Sequence, residues 1–192
     1  MTALKEWAVV IRAMAEMGQI MLFRKGGIVE KNNRFDVSTP EFFFYPTYLH
    51  QDADLLAPDY QGWIAQSEQD KPGLNQVKLQ YYGRVEKVLE AKGIDRLREL
   101  ANTTIWTPEY IEKTWSWAPE KPAYVMLIRV YELEKPYVIQ EKSEYSGCIS
   151  WINLEEALAV GNPMPVLSDK VFNQKCDVIL EVLGHSVAAL SP

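Results

Sequence analysis

The chain has 192 residues, of which 47% are apolar and 24% charged, and its net charge at neutral pH is -6. That balance excludes disordered and collagen-like classes and fits one globular domain whose core needs neither metal nor disulfide. The acidic excess also excludes a generally basic, nucleic-acid-coating protein.

In chain order, Leu4, Trp7, Ala8, Ile11, Met14 and Ala15 recur at helical spacing. Thr2 suits the start of that helix and Gly18 its end. The stretch contains Lys5, Glu6, Arg12 and Glu16, so it reads as neither a secretory leader nor a membrane span, and no membrane partner is expected. Gln19 to Arg24 reads as a strand broken by Gly26-Gly27, where glycine accepts conformations other residues avoid. Asn32-Asn33 suits a turn, and Phe35 to Val37 a short pairing. Glu41 to Tyr45 is a continuous apolar run, as in a strand buried on both faces, stopped by Pro46.

Asp52 to Gly73 reads as a long irregular loop, often a binding loop, anchored by Trp63. Val77 to Leu89 reads as one strand with a bend or bulge at Gly83. A short helix is expected over Asp95 to Ala101, and Thr107-Pro108 opens another. Ala123 to Leu133 is the clearest strand, and Arg129 within it needs a partner, because an unpaired buried charge is very costly. Cys148 to Ile152 reads as the last strand. Asn153 is expected to cap a helix over Leu154 to Val160, and Ser168 a final helix ended by Gly184. The fold class is therefore α+β, with a mixed, mostly antiparallel sheet of about five strands flanked by an N-terminal helix and C-terminal helices. Residues 1–160 are read as the main domain and 161–192 as a C-terminal helical extension packed on it.

Charge is unevenly spread. Residues 1–40 carry six Lys/Arg against four Asp/Glu, residues 41–76 one against six, residues 77–135 ten against nine, and residues 136–192 three against seven. A basic site must be assembled by folding the first and third stretches together. Arg24, Lys25, Gly26 and Gly27 have the composition of an anion nest, in which glycine lets N–H groups converge and the cations add charge. The spacing is not that of a P-loop. His50 and Gln51 stand where a buried strand enters a loop, a common place for site residues.

His50 with Asp52 and Asp54 is a nonspecific set for a hard metal, and no metal is assigned. His50 with Cys148, or Ser150 as a second hydroxyl, is a candidate base and nucleophile. Against that, a free cysteine at a strand start is usually a small buried hydrophobe. Two cysteines define neither a disulfide framework nor a zinc site, and free thiols fit a reducing cytoplasm. Neither a nuclease carboxylate–lysine set nor the glutamate-rich helix of Nudix hydrolases is present. Trp106, Trp115 and Trp117 lie near Lys113 and Lys121. Such clusters stack single-stranded bases, but they also form satellite cores, and the second reading is preferred.

Several blocks recur together: Leu4-Lys5-Glu6-Trp7, Arg24-Lys25-Gly26-Gly27-Ile28, Tyr45-Pro46-Thr47-Tyr48 with His50-Gln51, Arg129-Val130-Tyr131, and Tyr145 with Gly147-Cys148 and Ser150-Trp151. In this order they resemble the bacterial family catalogued as domain of unknown function 1802, over roughly Ala3 to Leu154. The family has no established activity. The association of some members with a restriction-endonuclease-like domain implies a link to restriction-modification or defence, which is weaker here because no stretch reads as that domain. The resemblance implies Arg24, Lys25, Thr47, His50, Gln51, Arg129, Cys148 and Ser150 as the polar site candidates.

The leading expectation is a module that binds a phosphate-bearing ligand, a nucleotide or nucleic acid, through Arg24, Lys25, Gly26, Gly27, Thr47, Gln51, Arg129 and Ser150. The alternatives are a hydrolase or nuclease using His50 with Asp52 or Cys148, and a non-catalytic protein-interaction partner. The cofactor is left unassigned.

Overall fold

The first seven residues are extended rather than helical. Ala3 and Leu4 are both wholly shielded from solvent, as in a strand covered on both faces. A computed structural model describes residues 1–25, 30–31, 34–35, 40–117, 119–147 and 149–185. In it the chain opens with strand β1 (Thr2–Trp7), and helix α1 (Ala8–Glu16) follows directly. The expected helix therefore starts four residues later than Leu4, and Thr2 does not cap it. The Val9 N–H at its start donates to Gln51 Oε1 at 2.9 Å instead. Gly18, with φ of 65°, turns the chain out of the helix.

Strand β2 (Met21–Lys25) is followed by a two-stranded ladder of β3 (Glu30–Lys31) and β4 (Arg34–Phe35), antiparallel to each other. Gly26, Gly27 and the Asn32-Asn33 turn lie outside the described residues. Strand β5 (Glu41–Thr47) runs through Pro46 rather than stopping there, because β6 pairs with it only as far as Phe43 and Pro46 has β1 alone as a neighbour, an edge position that tolerates a missing N–H. The stretch read as an irregular loop contains two short 3-10 turns and helix α2 (Trp63–Gln69).

Two long strands form the spine, β6 (Gln76–Ala91) and β7 (Ala123–Gln140). Between them lie α3 (Ile94–Glu99) and α4 (Pro108–Ser116), the latter capped as expected by Thr107, whose hydroxyl accepts from the Tyr110 N–H at 3.2 Å. Strand β8 (Trp151–Asn153), the short β9 (Met164–Pro165) and helix α5 (Asp169–Leu183) complete the chain. Residues 154–160 are not helical. The Leu154 N–H donates to the Met1 carbonyl at 2.7 Å and the Glu155 N–H to the Tyr145 hydroxyl at 3.1 Å, so the donors a first helical turn would present are used elsewhere.

The seven-stranded sheet has the order β2-β7-β6-β5-β1-β8, with β9 beside β7. All its pairings are antiparallel except β1 with β5. Both faces are covered. Phe42 and Phe44 point into a cluster with α1, whereas Phe43 and Tyr45 point into one with Leu79, Tyr145 and Ile152. Helices α3, α4 and α5 bury a third cluster against β2 and the near half of β7. The α+β class holds, with more strands than expected.

Gly83 is not at a bulge. It pairs in register with Phe42 and Val130, and the irregularities fall at Leu79/Tyr81 and Val85/Lys87. Arg129 has its partners at the sheet surface: its guanidinium is 2.7 Å from Asp169 Oδ1 and 3.5 Å from Glu86 Oε1, above the Phe172 ring. Because Asp169 and Phe172 belong to α5, Arg129 ties that helix to β7.

Candidate functional site

Parallel pairing brings the C-terminal ends of β1 and β5 to the same edge of the sheet, where α1 also begins. Beyond that edge the start of β6 and the end of β7 continue as a two-stranded arm, with Lys78 opposite Val138 and Gln76 opposite Gln140. The arm walls one side of a cavity of about 490 Å3. Lys5, Glu6 and Trp7 enter it from β1, Arg24 from β2, Thr47 to His50 from the end of β5, Gln76 and Glu141 from the arm, and Ser150 from the segment before β8.

Charge in the cavity is organised around Glu6. One carboxylate oxygen accepts from the Trp7 N–H at 2.8 Å and the other from Arg24 Nη2 at 2.7 Å. The pair is only partly exposed, and a guanidinium keeps several donors after one is taken. The Lys5 ammonium donates to the carbonyls of Tyr145 and Gly147, at 2.7 and 2.9 Å, and so holds the far wall in place. Lys71 stands over the Tyr48 ring at 5.4 Å. Burial, with Asp70 behind it, raises the Tyr48 hydroxyl above its ordinary pKa. On the opposite face of β5 the Tyr45 hydroxyl is buried with no hydrogen-bond partner among the described residues, and burial, then Glu141, pushes it well above the phenol range.

Of the residues singled out in the sequence, Arg24, Thr47, His50 and Ser150 come together here. Lys25 does not line the cavity. It points to the other side of β2, where its ammonium lies 4.6 Å from the Trp115 ring centre. Arg129 is on α5's side of the sheet. Gln51 caps α1, and Asp52 accepts from the Asp54 N–H at 3.0 Å within its own turn. Among the described residues no three His, Cys, Asp or Glu side chains gather as a metal set. Cys148 lies outside the described residues, as do Gly26 and Gly27, although its neighbours Gly147 and Ile149 line the cavity. The reading from sequence passed over Lys71, Glu141 and the roles of Lys5 and Glu6. The signal for the last two is their place in the block Leu4-Lys5-Glu6-Trp7.

Two residues lining the cavity are left-handed: His50 with φ of 63° and Gly147 with 83°. A histidine held there is uncommon and carries a conformational cost. His50→Gly is expected to raise the unfolding free energy by up to about 1 kcal/mol. A thermal melt showing a lower midpoint would mean that the imidazole instead makes contacts that hold the loop.

The fold and cavity together define an α+β protein with a cationic and aromatic pocket at the end of its parallel strand pair. A family model described as Domain of unknown function (DUF1802) matches residues 3–177, and the chain belongs to that family. The match therefore extends into α5. No curated protein matches. A similar solved structure is the crystal structure of a mutant of the ZmASCH protein from Zymomonas mobilis. It is 9% identical, with a TM-score of 0.47, over 81% of this chain and 88% of that one. No helix among the described residues is long and apolar enough to cross a membrane.

Proposed function

We propose that the cavity binds a phosphate-bearing ligand of nucleotide type. The observation that carries this reading is Arg24, oriented by Glu6 at 2.7 Å and lining a cavity of about 490 Å3, a size in the usual range for small-ligand sites. A guanidinium fixed by a carboxylate presents its remaining N–H groups in a defined fork, the geometry that suits phosphate oxygens.

The rim favours more than a bare anion. Leu49 and Ile149, 71% and 45% exposed, flank the opening, and Trp7 lines the interior. Apolar and aromatic walls beside a cation suit a planar base joined to a phosphate. Thr47, His50 and Ser150 supply hydroxyl and imidazole groups for a sugar. The position, outside the carboxyl ends of parallel strands and beside a helix start, is also one where anionic ligands are favoured.

Isothermal titration with inorganic phosphate, nucleosides and nucleoside monophosphates tests the reading. The monophosphates are expected to bind more tightly than phosphate or nucleoside alone. No heat from any of them, at protein concentrations that detect millimolar affinity, would overturn it.

A further inference from the structure

Two carboxylates line the cavity, and only one of them is engaged. Glu6 is taken by the Trp7 N–H and by Arg24, at 2.8 and 2.7 Å. Glu141 follows the last residue of β7 at the tip of the arm, and its backbone N–H donates to the Asn75 carbonyl at 2.8 Å. That bond holds it beside Gln76, the first residue of β6, which also lines the cavity. Neither the Glu141 carboxylate nor the Gln76 amide makes a hydrogen bond or ion pair among the described residues. The neighbouring cations are committed elsewhere. Lys5 donates to the carbonyls of Tyr145 and Gly147, Lys71 stands over the Tyr48 ring, and Lys142 is held by Glu155 and Glu156 at 2.5 and 3.2 Å.

The two carboxylates stand at different depths. Phe43 of β5 is opposite Tyr82 of β6, and Pro46, three residues further along β5, is level with Glu6. Gln76 is six residues from Tyr82 in the same direction along the antiparallel β6. At the usual rise of about 3.3 Å per residue, the tip of the arm stands about 10 Å further out than Glu6 and the guanidinium it orients. That is the reach from the phosphate of a nucleotide to the far edge of its base. With the phosphate on Arg24 and the base between Leu49 and Ile149, the edge of the base meets Gln76 and Glu141.

Bases differ in what that edge offers. Guanine presents two adjacent donors, N1–H and the N2 amine, which one carboxylate accepts together, and beside them the O6 acceptor, which suits an amide N–H such as that of Gln76. Adenine and cytosine place a ring-nitrogen lone pair where guanine has N1–H, and uracil places a carbonyl where guanine has the amine. Each of these turns a lone pair toward a carboxylate and leaves it without its partners, which is costly in a site built to accept donors. We infer that the cavity selects guanine nucleotides and that Glu141, accepting from N1–H and the N2 amine, is the residue that selects them. The inference rests on the nucleotide reading of the cavity and names the base.

Calorimetric titration of the full chain with the monophosphates of guanosine, inosine, adenosine, cytidine and uridine tests it. Guanosine monophosphate is expected to bind about tenfold or more tightly than the inosine compound, which lacks only the N2 amine, and than the other three. Glu141→Gln should erase that ratio and favour adenosine monophosphate, because an amide pairs with both the N6 amine and N1 of adenine. Glu141 is exposed, so the variant should melt with the parent, and a ratio of affinities does not move with a small loss of folded protein. A guanosine monophosphate affinity no higher than that of any other, or an unchanged guanosine preference in Glu141→Gln, would overturn the inference and leave the nucleotide reading standing. If none of the monophosphates binds, both fall.

Discussion

Gly83→Val is expected to destabilise the protein by on the order of 4 kcal/mol, a large share of the roughly 5–15 kcal/mol that holds such a domain together. A Cβ at this position would stand 2.7 Å from two ring carbons of Phe42 and 2.9 Å from one of Phe44. Both rings are about 1% exposed and lie 5.1 Å apart, edge to face. They cannot yield without displacing the cluster that α1 packs into. Gly83→Ala carries only the clashing Cβ and should cost about 2–3 kcal/mol. For a chain of this length that corresponds to a drop of roughly 4–12 °C in the thermal midpoint. Denaturant titration of the three proteins would show this order. An alanine variant as stable as the parent would mean that the rings have room to move. The glycine is there for the aromatic surface laid across it, not for a bend.

Arg24→Gln and Glu6→Gln should move nucleotide monophosphate affinity in opposite directions. Arg24→Gln removes the cation and leaves the Glu6 carboxylate, 13% exposed, facing the phosphate. A charged hydrogen bond and a new repulsion together predict a loss of about 30-fold in affinity. Arg24→Lys should recover only part of it, because an ammonium lacks the planar fork. Glu6→Gln keeps an oxygen for the Trp7 N–H but removes the negative charge that competes with phosphate for the guanidinium. Affinity should rise by about threefold, with a steeper salt dependence. The ion pair is largely shielded, so either change is expected to cost about 1–3 kcal/mol of stability as well, which a thermal melt of each variant measures. Calorimetric titrations in low and moderate salt decide the matter. Parallel losses in both variants would show that the pair is only a brace between β1 and β2.

The elements that were legible in the sequence are those whose local chemistry agrees with their final environment. Thr107-Pro108 announces α4, and Ser168 and Gly184 bracket α5, because caps answer backbone groups a few residues away. The apolar run from Ala123 is a central strand by hydrophobicity alone. The misread elements are those whose partners are distant. Leu4 and Trp7 fit a helical period, yet residues 2–7 are drawn into a strand by β5 on one side and β8 on the other. Asn153 resembles a helix cap, but the following N–H groups go to Met1 and to the Tyr145 hydroxyl.

The same division applies to the site. Arg24, Thr47, His50 and Ser150 were chosen for residue type and for position at element ends, and they share one cavity. Arg129 and Lys25 had equally suitable chemistry. Neighbouring residues of a strand face opposite ways, so Lys25 turns from the cavity that Arg24 enters. Arg129 meets an acid and an aromatic ring of a helix forty residues further on.

By itself the sequence determined the α+β class, the family blocks, the start of α4 and both ends of α5, since composition and short-range hydrogen bonding act within a few residues. Only the tertiary structure decided which charges meet. The parallel pairing of β1 with β5, which no local pattern encodes, carries Glu6 to Arg24 and makes a pocket of residues that are separate in the chain.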